Sequence, residues 1–181
     1  MRIVTTPEAT QLTGLSTETL REWTSRRALI RADVLPKGKG TPAGYTWQTI
    51  LVLRIAVTLR ERFRLELEPH RRLFASLQSG LQQASFIALW DKALALRGDD
   101  DWALIEDIER HPMDGDVLII HLRPHLEAVS VGFALPRPSK LPGQLELFPA
   151  RSVDPTTHRP IDPVAGKQRP DPIRAMRRRS A

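Results

Sequence analysis

Between Ile50 and Leu59 the chain reads ILVLRIAVTL. At helical spacing its apolar side chains, Ile50, Leu51, Leu53, Ile55, Ala56, Val57 and Leu59, fall on most faces of one helix. A surface helix needs one apolar stripe, whereas a helix apolar on most sides must be covered on several of them. A helix from Trp47 to Phe63 is therefore expected at the centre of the fold, as a floor on which other helices rest. The 181 residues suffice for one domain with an appendage, or two small domains, and for a sizeable core.

The elements expected to rest on this floor lie upstream, in TPEATQLTGLSTETLREWTSRR, Thr6 to Arg27. Thr6 can cap a helix whose first position is Pro7, and Gly14 breaks it. Ser16 is the N-cap of a second helix, Ser16 to Ser25, with Leu20 and Trp23 turned inward and Arg21, Arg26 and Arg27 toward solvent. Glu8 and Glu18 sit near the positive ends of their helices. Two short capped helices joined through a glycine turn make a helix-turn-helix, whose second helix is the one that enters a DNA major groove. Residues 31–46, RADVLPKGKGTPAGYT, combine turn formers with Lys37 and Lys39 and read as a two-stranded wing whose lysines touch phosphates.

The run from Ile3 through Gly14, Leu15, Thr19, Leu20, Arg21 and Trp23, continuing through Ala28, Leu29 and Ile30 to Gly44 and Tyr45, resembles the DNA-binding domain of MerR-family regulators over about residues 2–78. The resemblance implies a winged helix-turn-helix followed by a second helical pair, and a homodimer on double-stranded DNA. It also implies DNA contacts from Ser16, Thr17, Glu18, Arg21, Arg26 and Arg27 on the reading helix. Lys37, Lys39 and Tyr45 would add contacts from the wing, and His70 and Arg71 from the start of a later helix. Three departures stand out: Thr46 replaces the family's arginine after the wing tyrosine, the wing is longer, and no heptad helix follows to form a dimer coiled coil.

Charge is distributed in the same sense. Residues 1–72 hold 13 lysines and arginines against 7 acids, residues 73–150 hold 6 against 11, and residues 151–181 hold 8 against 3. A basic N-terminal part suits phosphates, while an acidic middle repels DNA and suits a protein partner or its own dimer. The chain has no cysteine, which excludes disulfides and thiolate metal sites. No run of about 18 apolar residues and no signal-peptide layout is present, so a cytoplasmic protein of the bacterial nucleoid is expected, without a membrane partner. No Ser-His-Asp set, paired carboxylates or glycine-rich phosphate loop proposes an enzyme, and no cofactor is expected.

Downstream, a short helix from His70 to Ser79 is expected, with Leu73, Phe74 and Leu77 on one face and Gly80 behind it. A third helical segment is expected from Ser85, its stripe of Phe86, Leu89, Trp90, Ala93 and Leu94 ending at Gly98. An aromatic stripe of this kind is more often core than ligand box, so a small-molecule sensor using Phe86, Trp90 and Trp102 is a minor alternative. Asp99 to Asp101 read as a solvated turn, because a consecutive triplet lacks the spaced ligands of a calcium loop. Two strands, WALIED and DVLIIHL, and a helical piece from Pro124 to Phe133 follow. His121 and His125 stand four apart but lack further ligands, and read as surface or packing residues.

From Pro136 onward lie nine of the fifteen prolines and few large apolar residues, so disorder is expected there. Within it, Gln144 to Phe148, QLELF, resembles the pentapeptide by which bacterial DNA-handling proteins bind the replication sliding clamp. Gln144 would anchor one end, and Leu145, Leu147 and Phe148 the apolar other. The expected class is mainly α with small β. A winged helix-turn-helix domain would span residues 1–80, a small acidic α/β region 81–135 and a disordered tail 136–181. The expected function is sequence-specific DNA binding as a MerR-like transcriptional regulator. The alternative is a replication, repair or excisionase-like DNA binder tethered to the clamp through residues 144–148.

Overall fold

Helix α3, Trp47–Arg62, is the expected floor: ten of its 16 residues are buried, which leaves little more than Arg54, Val57, Thr58 and the charged last turn with any access to solvent. Thr46 caps it, its hydroxyl accepting the Thr49 N–H at 3.4 Å. The computed structural model describes residues 2–36, 38, 41–98, 101–106 and 115–138, all within one compact unit, Met1–Lys140. Among the described residues the architecture is mixed, with five α-helices and two small antiparallel sheets. None of these helices is long and apolar enough to cross a membrane.

Strand β1, Val4–Thr5, leads directly into α1, Thr6–Thr13. The N-cap is Thr5, one residue earlier than expected. Glu8 decides this: its carboxylate accepts both the Thr5 backbone N–H, at 2.8 Å, and the Thr5 hydroxyl, at 3.1 Å, closing a capping box with Pro7 inside the first turn. These bonds, the backbone one first, lower the Glu8 pKa below its usual range. Helix α2, Thr17–Arg21, continues as a π-helical turn over Glu22–Arg26, so the expected single helix from Ser16 to Ser25 widens after Arg21. Strand β2, Gly44–Tyr45, pairs with β1 in the register Val4↔Tyr45, and Val34 bridges Gly44 from the other side.

Helix α4, Arg71–Gln82, buries Leu73, Phe74, Leu77 and Leu81. Gly80 was expected to terminate it but lies inside it. A Cβ there would stand 2.5 Å from the Trp102 ring, and the indole Nε1–H donates to Ser76 Oγ at 2.9 Å, so the glycine makes room for a tryptophan lying across the helix. The helix expected from Ser85 to Gly98 is not formed. Phe86, Leu89 and Trp90 shape one 3-10 turn, Ile87–Leu89, and the chain then becomes β3, Ala93–Arg97. That strand is central in a sheet of order β4-β3-β5, between β4, Asp101–Ile105, and β5, Leu118–His121. Leu94 and Leu96 join the main core, while Ala93 and Ala95 face a second small cluster with Ile105. A strand covered on both faces reads as a continuous apolar run, which periodicity does not separate from a buried helix.

Helix α5, Arg123–Phe133, closes the unit against α1 and α3. One core cluster runs from Val4 to Phe133, so the boundary expected at residue 80 is not a break in packing: residues 81–135 complete the core of residues 1–80. The expected tail lies, from residue 139 on, outside the described residues.

Two groups at the α3–α5 contact are unusual for an interior. Arg54 donates to the Leu12 carbonyl at the end of α1, and burial lowers its pKa without removing its charge. His125 on α5 is held down to about 4 by burial first, then by the charges of Arg54 and Arg62. The unfolded chain therefore binds a proton at His125 near pH 6.5 that the folded chain refuses until about pH 4. Stability from this site is complete above pH 6.5 and is lost as pH falls toward 4. Thermal melting from pH 7.5 down to 4.5 should show a falling Tm, and His125→Gln should flatten that fall. Equal slopes for the two proteins would remove His125 as its cause.

Candidate nucleic-acid interface

The connection between α1 and α2 is tight because Gly14 takes φ 78°, its N–H donating to Thr10 O at 2.9 Å. Ser16 then caps α2, its Oγ accepting the Thr19 N–H at 3.1 Å. The cap puts Thr17, Glu18 and Arg21 on the exposed side and Leu20 in the core. Two contacts on α3 hold this pair of helices. Arg54 ties down the last turn of α1, and Trp23, 6% exposed, packs below the π-turn with the Arg60 guanidinium 5.5 Å from its ring centroid.

Between the first turns of α1, the exposed side of α2 and the segment leading to β2 lies a groove of about 660 Å³. Thr17, Arg21 and Ser25 line one wall at intervals of four residues, continued by Arg26; Thr6 and Thr10 line the second; Pro36, Thr41 and Pro42 belong to the third. Hydroxyls and two arginines face it, and among the described residues no carboxylate lines it. Such a set of donors and positive charge favours an anion, a phosphate backbone included. Thr10, Ser25 and Thr41 were not singled out from the sequence. Ser25 was legible as the third member of the Thr17, Arg21 spacing, whereas Thr10 and Thr41 reach the groove only through tertiary packing.

Of the remaining expected contacts, Tyr45 borders this groove from its floor, and the other described ones lie outside its lining. Tyr45 is fully buried, a correction to its expected place on the wing surface. Pairing with Val4 turns its ring into the core, and its hydroxyl lies 3.3 Å from Thr24 Oγ1 beneath the groove. Thr24 in turn donates to Leu20 O at 2.8 Å, so the tyrosine supports α2 and its π-turn from below. Arg27 points elsewhere, paired with Glu22 at 2.7 Å and near Glu68 at 3.9 Å. Arg71 also pairs with Glu68, at 2.5 Å, and His70 lines a different hollow below α4. Lys37 and Lys39 lie outside the described residues, as do Gln144, Leu145, Leu147 and Phe148.

Thr46 has a structural task here. Its N–H and hydroxyl donate to the Asp33 carboxylate at 2.7 and 3.1 Å, fastening the segment after α2 to the start of α3. Phe86 and Trp90 are core residues, Phe86 edge-on to Trp47 at 5.3 Å and 5.5 Å from Trp90, so the aromatic stripe encloses no ligand box. Among the described residues no group of three His, Asp or Glu side chains is placed to hold a metal ion.

No family model matches the chain, and comparison with curated proteins finds no match.

Because Trp23 underlies the π-turn and does not face the groove, Trp23→Ala should destabilise the fold by about 3–5 kcal/mol. Denaturant unfolding followed by circular dichroism measures this. A variant as stable as the parent would show that the indole contributes little to the core.

Proposed function

We propose that this chain is a sequence-specific double-stranded DNA-binding protein. In this reading it is a bacterial transcriptional regulator of MerR-like winged helix-turn-helix type that acts on its operator as a homodimer. The observation that carries this reading is the groove between α1, α2 and the segment leading to β2, with Arg21 and Arg26 on its wall and, among the described residues, no carboxylate facing it. Helix α2 is the reading helix. Its first turn, Ser16, Thr17 and Glu18, meets base edges and backbone, Arg21 reaches a guanine edge or a phosphate, and Arg26 holds a flanking phosphate. The segment with Lys37 and Lys39 acts as the wing. Arg27 and Arg71 contribute through the field of the basic half of the chain, since their guanidinium groups lie away from the groove, and His70, which also lies away from it, makes no direct contact there. No catalytic residue is assigned.

Selection of bound duplexes from a random pool, followed by titration of the enriched site, tests the reading. Arg21→Ala should weaken binding by about 1–3 kcal/mol at matched salt while leaving Tm unchanged. Undiminished affinity would displace α2 from the DNA.

A second reading rests on one sequence observation, the QLELF pattern at Gln144 to Phe148. It makes the protein a replication, repair or excisionase-like DNA binder tethered to the sliding clamp, with Leu147 and Phe148 supplying most of the contact energy. Calorimetric titration of the full chain into purified clamp should give a dissociation constant on the order of micromolar. The Gln144→Ala, Phe148→Ala double variant should give no heat. Equal binding by the variant would return the protein to the plain regulator reading.

A further inference from the structure

A hollow of about 470 Å³ lies where the helices part from the three-stranded sheet. It exists because of two chain reversals. After α3 the chain turns back at Arg64, whose φ is 58°, with the Leu65 N–H on Leu59 O at 3.1 Å, and α4 does not begin until Arg71. Opposite, β3 is followed by Gly98, φ 68°, which has no side chain to fill the gap. Leu59, Leu67, Leu73 and Phe74 form the helical wall, and Leu96 and Leu118 the sheet wall.

Water in a chamber of this kind finds few hydrogen-bond partners, so its displacement by an apolar molecule is favourable. The volume falls within the range of about 300–1,000 Å³ typical of small-molecule sites, which combine an apolar lining with a few placed polar groups. Here those groups are Asp116 and His70, and among the described residues no lysine or arginine lines the chamber. The charge at its edge is thus set by the Asp116 carboxylate, which suits a donor or cation and not an acid.

We propose that this chamber binds a small, mainly apolar molecule with an amine head group, its hydrocarbon part among the leucines and Phe74 and its nitrogen at Asp116. The site does not depend on the DNA-binding reading, and it involves none of the residues of the groove. A ligand there joins the connection between α3 and α4 to the end of the sheet through shared contacts.

The full chain titrated with the neutral fluorophore N-phenyl-1-naphthylamine should show saturable, blue-shifted emission at one site per chain. Octylamine should displace the dye at lower concentration than octanoate. In Asp116→Asn the dye should bind as before, while the octylamine midpoint rises by about threefold, the size of effect an exposed ion pair allows. Leu118→Trp fills the chamber and should abolish dye binding with Tm retained; if that substitution unfolds the chain, Leu67→Phe fills it more gently and should weaken binding in the same sense. Emission that does not saturate, or dye binding undiminished in the folded filling variants, overturns the site. Equal displacement by octylamine and octanoate overturns the head-group assignment.

Discussion

Helix α3 is apolar on nearly every side, and water must be kept from all of those sides at once. Burying a side chain of valine or leucine size contributes about 1.5–3 kcal/mol, so a helix with Ile50, Leu51, Val52, Leu53, Ile55 and Leu59 all sequestered dominates the stabilising terms of the unit. No single neighbour covers such a cylinder. Helices α1, α4 and α5 each take part of its surface, and the sheet completes the cluster through Leu94, Leu96 and Ile120. Residues 81–135 therefore belong to the same core as residues 1–80.

The groove inherits its shape from that floor. Helix α1 is short, and the unpaired carbonyls of its last turn need a partner; Arg54 supplies one from α3, and Gly14 completes the turn. An arginine held there places a permanent charge in the interior, and the neutral His125 beside it is the corresponding constraint on α5. On the other flank, Asp33 and Thr46 join the segment after α2 to the cap of α3, and Gln78 ties the same segment to α4 by donating to Arg31 O at 2.7 Å. The exposed wall of Thr17, Arg21, Ser25 and Arg26 thus stands on a base of polar contacts that are satisfied from three directions.

Placement of charge separates two kinds of basic residue that look alike along the chain. Arg21 and Arg26 face open space shared with hydroxyls, where a phosphate can be met without breaking an existing pair. Arg27 and Arg71 already share Glu68, and turning them toward DNA would forfeit those ion pairs, each worth about 0–1 kcal/mol at an exposed position. That small energy leaves the side chains able to exchange partners but gives them no preorganised role.

Local rules written in adjacent residues were decided by the sequence alone. The apolar run of α3, the Ser16 cap, the Gly14 turn, the two later strands and the helix ending at Phe133 all follow from periodicity, caps and turn formers within a few residues. Where the sequence misled, the missing information was a distant neighbour. Gly80 marks a helix end until Trp102 is known to lie across it. The run Ala93 to Leu96 has the apolar density of a helix until strands on both sides claim its backbone. Tyr45 passes for a surface contact until pairing with Val4 turns it inward, and Thr10 and Thr41 join Arg21 only because α3 brings three separate segments to one edge. Backbone and side-chain partners beyond a turn's reach are chosen by packing, and packing exists only once the chain has closed around α3.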